Sequence, residues 1–247
     1  MKKEPQNRFS NVYEDSERAE AYSKLKFDKT YHLAYRDLPI IISNHTHGNN
    51  ALDFGCGTGR STRFLQTLGY KTIGIDISEE MITIARQLDP AGEYHRINDG
   101  DFSSLPSSSF ELILSAFTFD NIPTMEQKIR LFKGLSMLLT QNGTIINLVS
   151  SPEIYTHEWA SFTTKDFPEN ATAKSGDIVR IITTDIADTR PCYDIYWSAE
   201  DYKTVYSKAD LHIIKTYKPL ATGEEPYQWI NETRIAPWTI YVLKKKT

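Results

Sequence analysis

Only two of the 247 residues are cysteine, Cys56 and Cys192. Two thiols make no disulfide framework, so a hydrophobic core must carry the fold, and a reducing, cytoplasmic setting is expected. A basic excess is also missing, because 28 Lys and Arg against 32 Asp and Glu leave a net charge of −4. That balance offers no electropositive face to a phosphate backbone and argues against a nucleic-acid partner. Lys244-Lys245-Lys246 reads as a solvated tail. No apolar run approaches the ~18 residues that cross a bilayer. Met1 to Pro5 leads into polar sequence rather than an apolar signal core, so no membrane partner is expected. There is no internal repeat and no low-complexity segment. The six histidines show no metal-ligand spacing, and no metal is expected; His45-Thr46-His47 comes nearest, in a polar loop.

What is present is concentrated in one run. Leu52-Asp53-Phe54 is an apolar strand ending in an acid, and Gly55-Cys56-Gly57-Thr58-Gly59 follows as a glycine-dense turn. An amphipathic helix comes next, with Phe64, Leu65 and Leu68 inward and Arg60, Arg63 and Gln66 outward. A second strand, Ile73-Gly74-Ile75, ends in another acid, Asp76. Glycines at alternate positions let the backbone approach a ligand without intervening Cβ atoms. Asp76, with Ile77 beside it, is placed to accept hydrogen bonds from ribose hydroxyls, so an adenosine-containing cofactor is expected. The dinucleotide fingerprint G-x-G-x-x-G fits poorly, since Arg60 stands at its third glycine. Asp53 would also face a pyrophosphate with like charge, whereas it suits a cofactor bearing an ammonium group.

These residues resemble the first motif of the class I S-adenosylmethionine (SAM) dependent methyltransferases, an acid-x-G-x-G-x-G loop. Gly100-Asp101-Phe102-Ser103-Ser104-Leu105-Pro106 and Phe110 to Ser115 resemble the family's third and fourth motifs, and Leu138 to Ile146 its turn into the fifth strand. The likeness covers residues 50 to 150. It implies SAM as cofactor and S-adenosylhomocysteine (SAH) as product. It places Asp76 on the ribose and Asp101 with Phe102 about the adenine, although Asp99 is a rival acid close by. It brings Tyr22 over the methionine end. The implied fold is α/β, a Rossmann-like doubly wound sheet of seven strands, mostly parallel with the last antiparallel.

The spacing along the chain agrees. Strands are expected at 50–54, 72–76, 94–97, 110–116 and 144–150, with helices at 60–68, 79–88 and 124–139, the alternation of a parallel sheet covered on both faces. Residues 8–42 read as two helices ending near Pro39. We divide the single domain into an N-terminal helical cap (1–49), the cofactor-binding core (50–150), an insertion over the cleft (151–197) and the closing strands (198–247). Within the insertion 178–186 and 193–197 read as strands, and Ser198 opens a helix with Asp201 at the capping-box position.

Asp53, Asp76, Asp101 and Ser115-Ala116 fall at carboxyl ends of strands, where ligands bind in such sheets. Arg36 is the candidate partner for the cofactor carboxylate. His157, soon after the fifth strand, is a candidate general base, and Asp120, after the fourth, a candidate to orient an amine or a metal. Aromatic residues are dense outside the core, among them Tyr13, Tyr31, Tyr35, Trp159 and Trp229. The Asn/Asp-Pro-Pro-aromatic motif of nucleobase amine methylation is absent; Ser115-Ala116-Phe117-Thr118 stands in its place. The expected activity is therefore methyl transfer from SAM to a small molecule, on N or O in preference to C. A catalytically silent SAM-binding protein and a nicotinamide-dependent reductase are the alternatives.

Overall fold

The computed structural model describes residues 16–246. The first half alternates strand and helix as the spacing predicts: Asn50–Phe54 (β1), Arg60–Thr67 (α4), Lys71–Asp76 (β2), Glu79–Leu88 (α5), Glu93–Arg96 (β3), Phe110–Ala116 (β4), Met125–Leu138 (α6) and Leu139–Ser150 (β5). Three short helices precede them, Ser16–Ser23 (α1), Lys29–Arg36 (α2) and Leu38–His45 (α3). The insertion contributes Phe162–Thr163 (β6), Ile178–Thr183 (β7) and Cys192–Ile195 (β8), and the chain closes with Ala199–Lys208 (α7), Leu211–Tyr217 (β9) and Trp238–Lys245 (β10).

Among the described residues seven strands form one sheet in the order β3-β2-β1-β4-β5-β10-β9. Only β10 runs against its neighbours β5 and β9. The order reverses between β1 and β4, whose registers pair Leu52 with Ile73 on one side and Ile113 on the other. Side chains alternate between two cores, as a period of two requires. Leu112, Leu114, Ile146, Leu148, Ile240 and Val242 face α2, α3 and the insertion. Leu52, Ile113, Ile145, Val149, Tyr241 and Leu243 face α6 and α7. Both faces are covered, which is why the central strands read as continuous apolar runs.

Local chemistry sets the helix ends. Ser78 accepts the Met81 N–H at the start of α5, with Glu79 and Glu80 in its first turn. Thr124 does the same for α6, and Ser198 with Asp201 closes the full capping box of α7.

Three expectations need correction. The N-terminal segment makes three described helices rather than two, and Pro39 lies in the first turn of α3 instead of ending a helix; its missing N–H is one that a first turn leaves unbonded anyway. Residues 8–15 of the expected helix lie outside the described residues. The fifth strand begins at Leu139, five residues early, because Leu139 pairs with Phe110 before a register shift. Gly143 allows this close approach: a Cβ there would sit 2.8 Å from the Phe110 carbonyl oxygen. The insertion adds a separate sheet, β6-β7-β8.

Candidate active site

The carboxyl ends of β1, β2, β4 and β5 open on a cavity of about 460 Å³, within the usual range for small-molecule sites. Its floor is the loop after β1. Gly55, Gly57 and Gly59 all take left-handed backbone, with φ of 71, 52 and 79°, and the three serve different ends. A Cβ on Gly55 would lie 2.1 Å from the Thr118 hydroxyl, and one on Gly59 2.7 Å from that of Tyr94. Those two glycines admit neighbouring protein. Gly57 alone faces open space, its nearest neighbour the Met81 sulfur at 3.9 Å. Gly55 and Gly57 line the cavity and Gly59 does not.

The loop is pinned to β2. The Gly55 and Cys56 amides donate to the Ile75 carbonyl at 2.8 and 3.0 Å. Asp76 then accepts the Gly57 amide on Oδ2 and the Ser78 amide on Oδ1, both at 2.9 Å. Burial raises the Asp76 pKa while these amides oppose it. Its carboxylate lines the cavity beside the exposed Ile77.

Asp53 lies beneath, fully buried between the end of β1 and the first turn of α4. Ser61 and Thr62 donate to its Oδ2 at 2.7 and 2.6 Å, while Oδ1 has no hydrogen-bond partner. Burial pushes this carboxyl up to about 6 despite the two hydroxyls. Ser115, opposite Phe54 in register, is likewise buried with an unpartnered hydroxyl, and Ala116 reaches the cavity.

Several expected residues stand elsewhere. Asp101 is exposed, and its carboxylate accepts the Ser103 amide and hydroxyl at 3.1 and 2.6 Å. Asp99 lines the cavity instead, held by Arg130. Phe102 packs its ring against Phe54, 6.0 Å between centroids, behind the cavity wall. Arg36 is taken by Asp37 and Glu225, each at 2.8 Å, and is remote from the lining. His157 shares its Nδ1 with the Glu153 carbonyl at 3.0 Å and sets its ring against Trp159, also outside the lining. Tyr13 lies outside the described residues. Tyr22 does reach the cavity, its hydroxyl on Cys192.

Asp120 also reaches it. This residue is 4 % exposed and accepts the Ser150 amide at 3.0 Å through Oδ2. Sequence reasoning missed its neighbour Asp194 on β8, which accepts the Tyr155 hydroxyl at 3.0 Å and lines the same wall. It also missed Arg60, assigned outward by periodicity. Its guanidinium turns back over Tyr31, 4.9 Å from the ring centroid, and over Phe27 at 5.1 Å. No local signal marks Asp194; Arg60 could have been suspected from the aromatic spacing Phe27, Tyr31, Tyr35.

Such a floor, with a ribose-placed acid, a glycine open to a ligand and a buried orphan carboxylate oxygen, defines a cofactor-binding sheet of the Rossmann-like class. Residues 52–147 match the family model described as a methyltransferase domain. A relative from Bacillus mycoides, named an uncharacterized methyltransferase, is 34% identical over 113 residues, covering 45% of this chain and 51% of its own length. The chain spans about half the length of the curated relatives it matches. Among solved structures, a SAM-dependent methyltransferase of Methanosarcina mazei has a TM-score of 0.61 at 17% identity, covering 84% of this chain and 98% of that one. The CcbJ methyltransferase of Streptomyces caelestis reaches 0.64 at 14% identity, over 93% and 96%. At these identities the two structures speak for the fold alone. Residues 52–147 thus match a methyltransferase domain, and the fold is shared with a SAM-dependent methyltransferase, which makes SAM the cofactor to test against the site.

The residues present fit that cofactor. Asp76 keeps lone pairs for ribose hydroxyls and the open face of Gly57 admits close contact, whereas Asp53, expected at the ammonium group, is fully buried and outside the cavity lining. Among the described residues no helix is long and apolar enough to cross a membrane.

Proposed function

We propose that this protein transfers the methyl group of SAM to a small-molecule acceptor, on nitrogen or oxygen in preference to carbon, within a reducing, cytoplasmic setting. The observation that carries this reading is a single cavity with two ends. One end is the Gly57 and Asp76 cradle. The other is walled by Phe162, Ile181, Thr183 and Asp194 of the insertion, with Tyr31 and Trp238. Residues 151–197 act in this reading as the substrate cap, and a cavity of this size suits a small acceptor better than a polymer.

Bound SAM supplies a sulfonium whose methyl carbon is attacked in line. The protein's task is positional. Holding acceptor and methyl carbon at near-attack distance can contribute effective molarities of ~10⁵ M or more. Asp76 and the Gly57 backbone hold the adenosyl portion. Asp120 and Asp194 are carboxylates of the chamber outside the cofactor cradle, placed to take a proton.

The test is calorimetric titration with SAM, SAH and NADH on wild type and Asp76→Ala, followed by labelled methyl transfer to a pool of small amines and phenols. Micromolar binding of both sulfur compounds, lost in the variant, together with label on a pool member supports the reading. Binding without label transfer to any acceptor points to a silent cofactor-binding protein, and binding of NADH alone to a reductase.

A further inference from the structure

The chamber above the cofactor cradle has an unusual charge arrangement. Among the described residues lining the cavity, the single cation is Arg60, which is engaged by the rings of Phe27, Tyr31 and Tyr35. Four carboxylates share that lining. Asp76 is bonded to two backbone amides, and Asp99 is paired with Arg130. Asp120 and Asp194 remain, on the 118–121 turn and β8, elements that pack together.

Burial raises both carboxyls, and the charge of Asp120 raises Asp194 further. The groups facing the pair can be named element by element. The Tyr155 hydroxyl donates to Asp194 from the 152–155 turn, and the Ser150 amide to Asp120 from β5. Lys128 of α6 stands behind, fully buried, its ammonium given to the Phe119 carbonyl and surrounded by Phe119, Trp197 and Tyr202. Arg18 of α1 acts on Asp194 from the far side while donating to the Pro191 carbonyl at 2.8 Å. Lys128 and Arg18 offset the two acids from outside the lining, while Arg60, the one cation among the described lining residues, is engaged by rings rather than by them.

The same lining carries an aromatic wall of rings packed on one another. Phe117 and Trp238 lie 4.8 Å apart by centroid, with Phe162 at 5.7 Å and Tyr31 at 5.8 Å from Trp238. Paired carboxylates beside aromatic faces are the chemistry that holds an alkylammonium ion: the acids supply charge and the ring faces a further attraction of about 0.5–2 kcal/mol. An anionic acceptor would meet like charge, and a neutral alcohol would leave the acids unpaired.

Resting on the methyltransferase reading, we infer that the acceptor is a small amine, held as its ammonium ion by Asp120 and Asp194 against the aromatic wall, and that one of the two carboxylates takes its proton. In that step an N–H bond breaks, its electron pair stays on nitrogen as the nucleophilic lone pair, and the proton moves to a carboxylate oxygen. The proton then leaves to solvent through the cavity mouth. A carboxyl whose pKa is raised toward neutrality is the better base for this purpose.

The test is binding, independent of turnover. Benzylamine, phenethylamine and tyramine are titrated by calorimetry into the SAH complex, beside the matched alcohols and carboxylates. The inference expects at least tenfold tighter binding of the amines than of their matched partners. It expects that advantage to grow from pH 5 to pH 8 as the carboxylates ionise. Asp194→Asn loses the advantage and its pH dependence while binding SAH within twofold of wild type. Asp120→Asn does the same if it folds; because Asp120 also holds the Ser150 amide, Asp194→Asn is the deciding variant. Equal or tighter binding of alcohols or carboxylates, absence of binding by every amine, or an intact amine preference in Asp194→Asn would overturn it. Absence of SAH binding with the amine preference preserved would instead sink the methyltransferase reading and leave the ammonium site standing.

Discussion

Asp53 carries one oxygen bonded twice and one bonded to nothing, in a position without solvent. Its carboxyl is raised from 3.8 to about 6, so the folded chain keeps a proton that the unfolded chain loses in that window. Stability is therefore lost as pH rises from about 4 to about 6, and the full cost of the ionised group is present above it. At 1.36 kcal/mol per pH unit that cost is about 3 kcal/mol. Asp53→Asn has no charge to bury. Without cofactor, the stability of the variant relative to wild type should improve by about 2 kcal/mol between pH 4.5 and pH 8, measured by urea unfolding. A difference that does not change with pH would refute this account. At the same scale, what was legible in the sequence is what acts locally. Gly55, Gly57 and Asp76 declare themselves through backbone conformation and a partner on the next strand. Arg36 and His157 did not follow expectation because distant or irregular backbone claims them, Glu225 in one case and the Glu153 carbonyl in the other. A side chain's direction in a loop is decided by such tertiary partners, which spacing alone does not encode.

At the scale of elements, boundaries followed wherever a cap was written in the chain. Ser198 accepts the Asp201 amide and Asp201 returns a bond to the Ser198 amide at 3.0 Å, so α7 begins where the capping box predicts. Ser198→Ala removes one half of that exchange and should cost about 1 kcal/mol. For a chain of this size, that is a fall of ~2–4 °C in Tm, with SAH affinity unchanged because α7 packs on the sheet face away from the chamber. Loss of cofactor affinity instead would mean that α7 positions the site. Pro39 shows the converse. Proline marks a helix boundary without saying on which side the helix lies, and here the boundary is a start. The two-residue β6 carries too little sequence to show any period, yet it pairs with β7 and helps to wall the cavity.

At the scale of the whole molecule, the parallel half of the sheet was legible because strand and helix alternate along residues 50–150, while the seven-strand count and the antiparallel last strand followed from the family resemblance. The chamber was not legible, because Asp120, Tyr155, Asp194 and Trp238 come from four separate segments that meet only when β10 joins the sheet and the insertion packs beside it. That closure has a thermodynamic consequence. The cofactor cradle and the insertion line one cavity, so a ligand seated there binds the folded chain and not the unfolded one. By mass action SAH at a hundredfold over its Kd should stabilise the protein by about 2.7 kcal/mol, a rise of ~5–10 °C in Tm. Asp76→Ala should show no such rise. If the insertion closes on the bound ligand, SAH should also protect the Trp159 to Asp194 segment from proteolysis, although that segment lies outside the nucleotide cradle. Stabilisation without protection there would mean that cradle and chamber share a wall but are energetically independent.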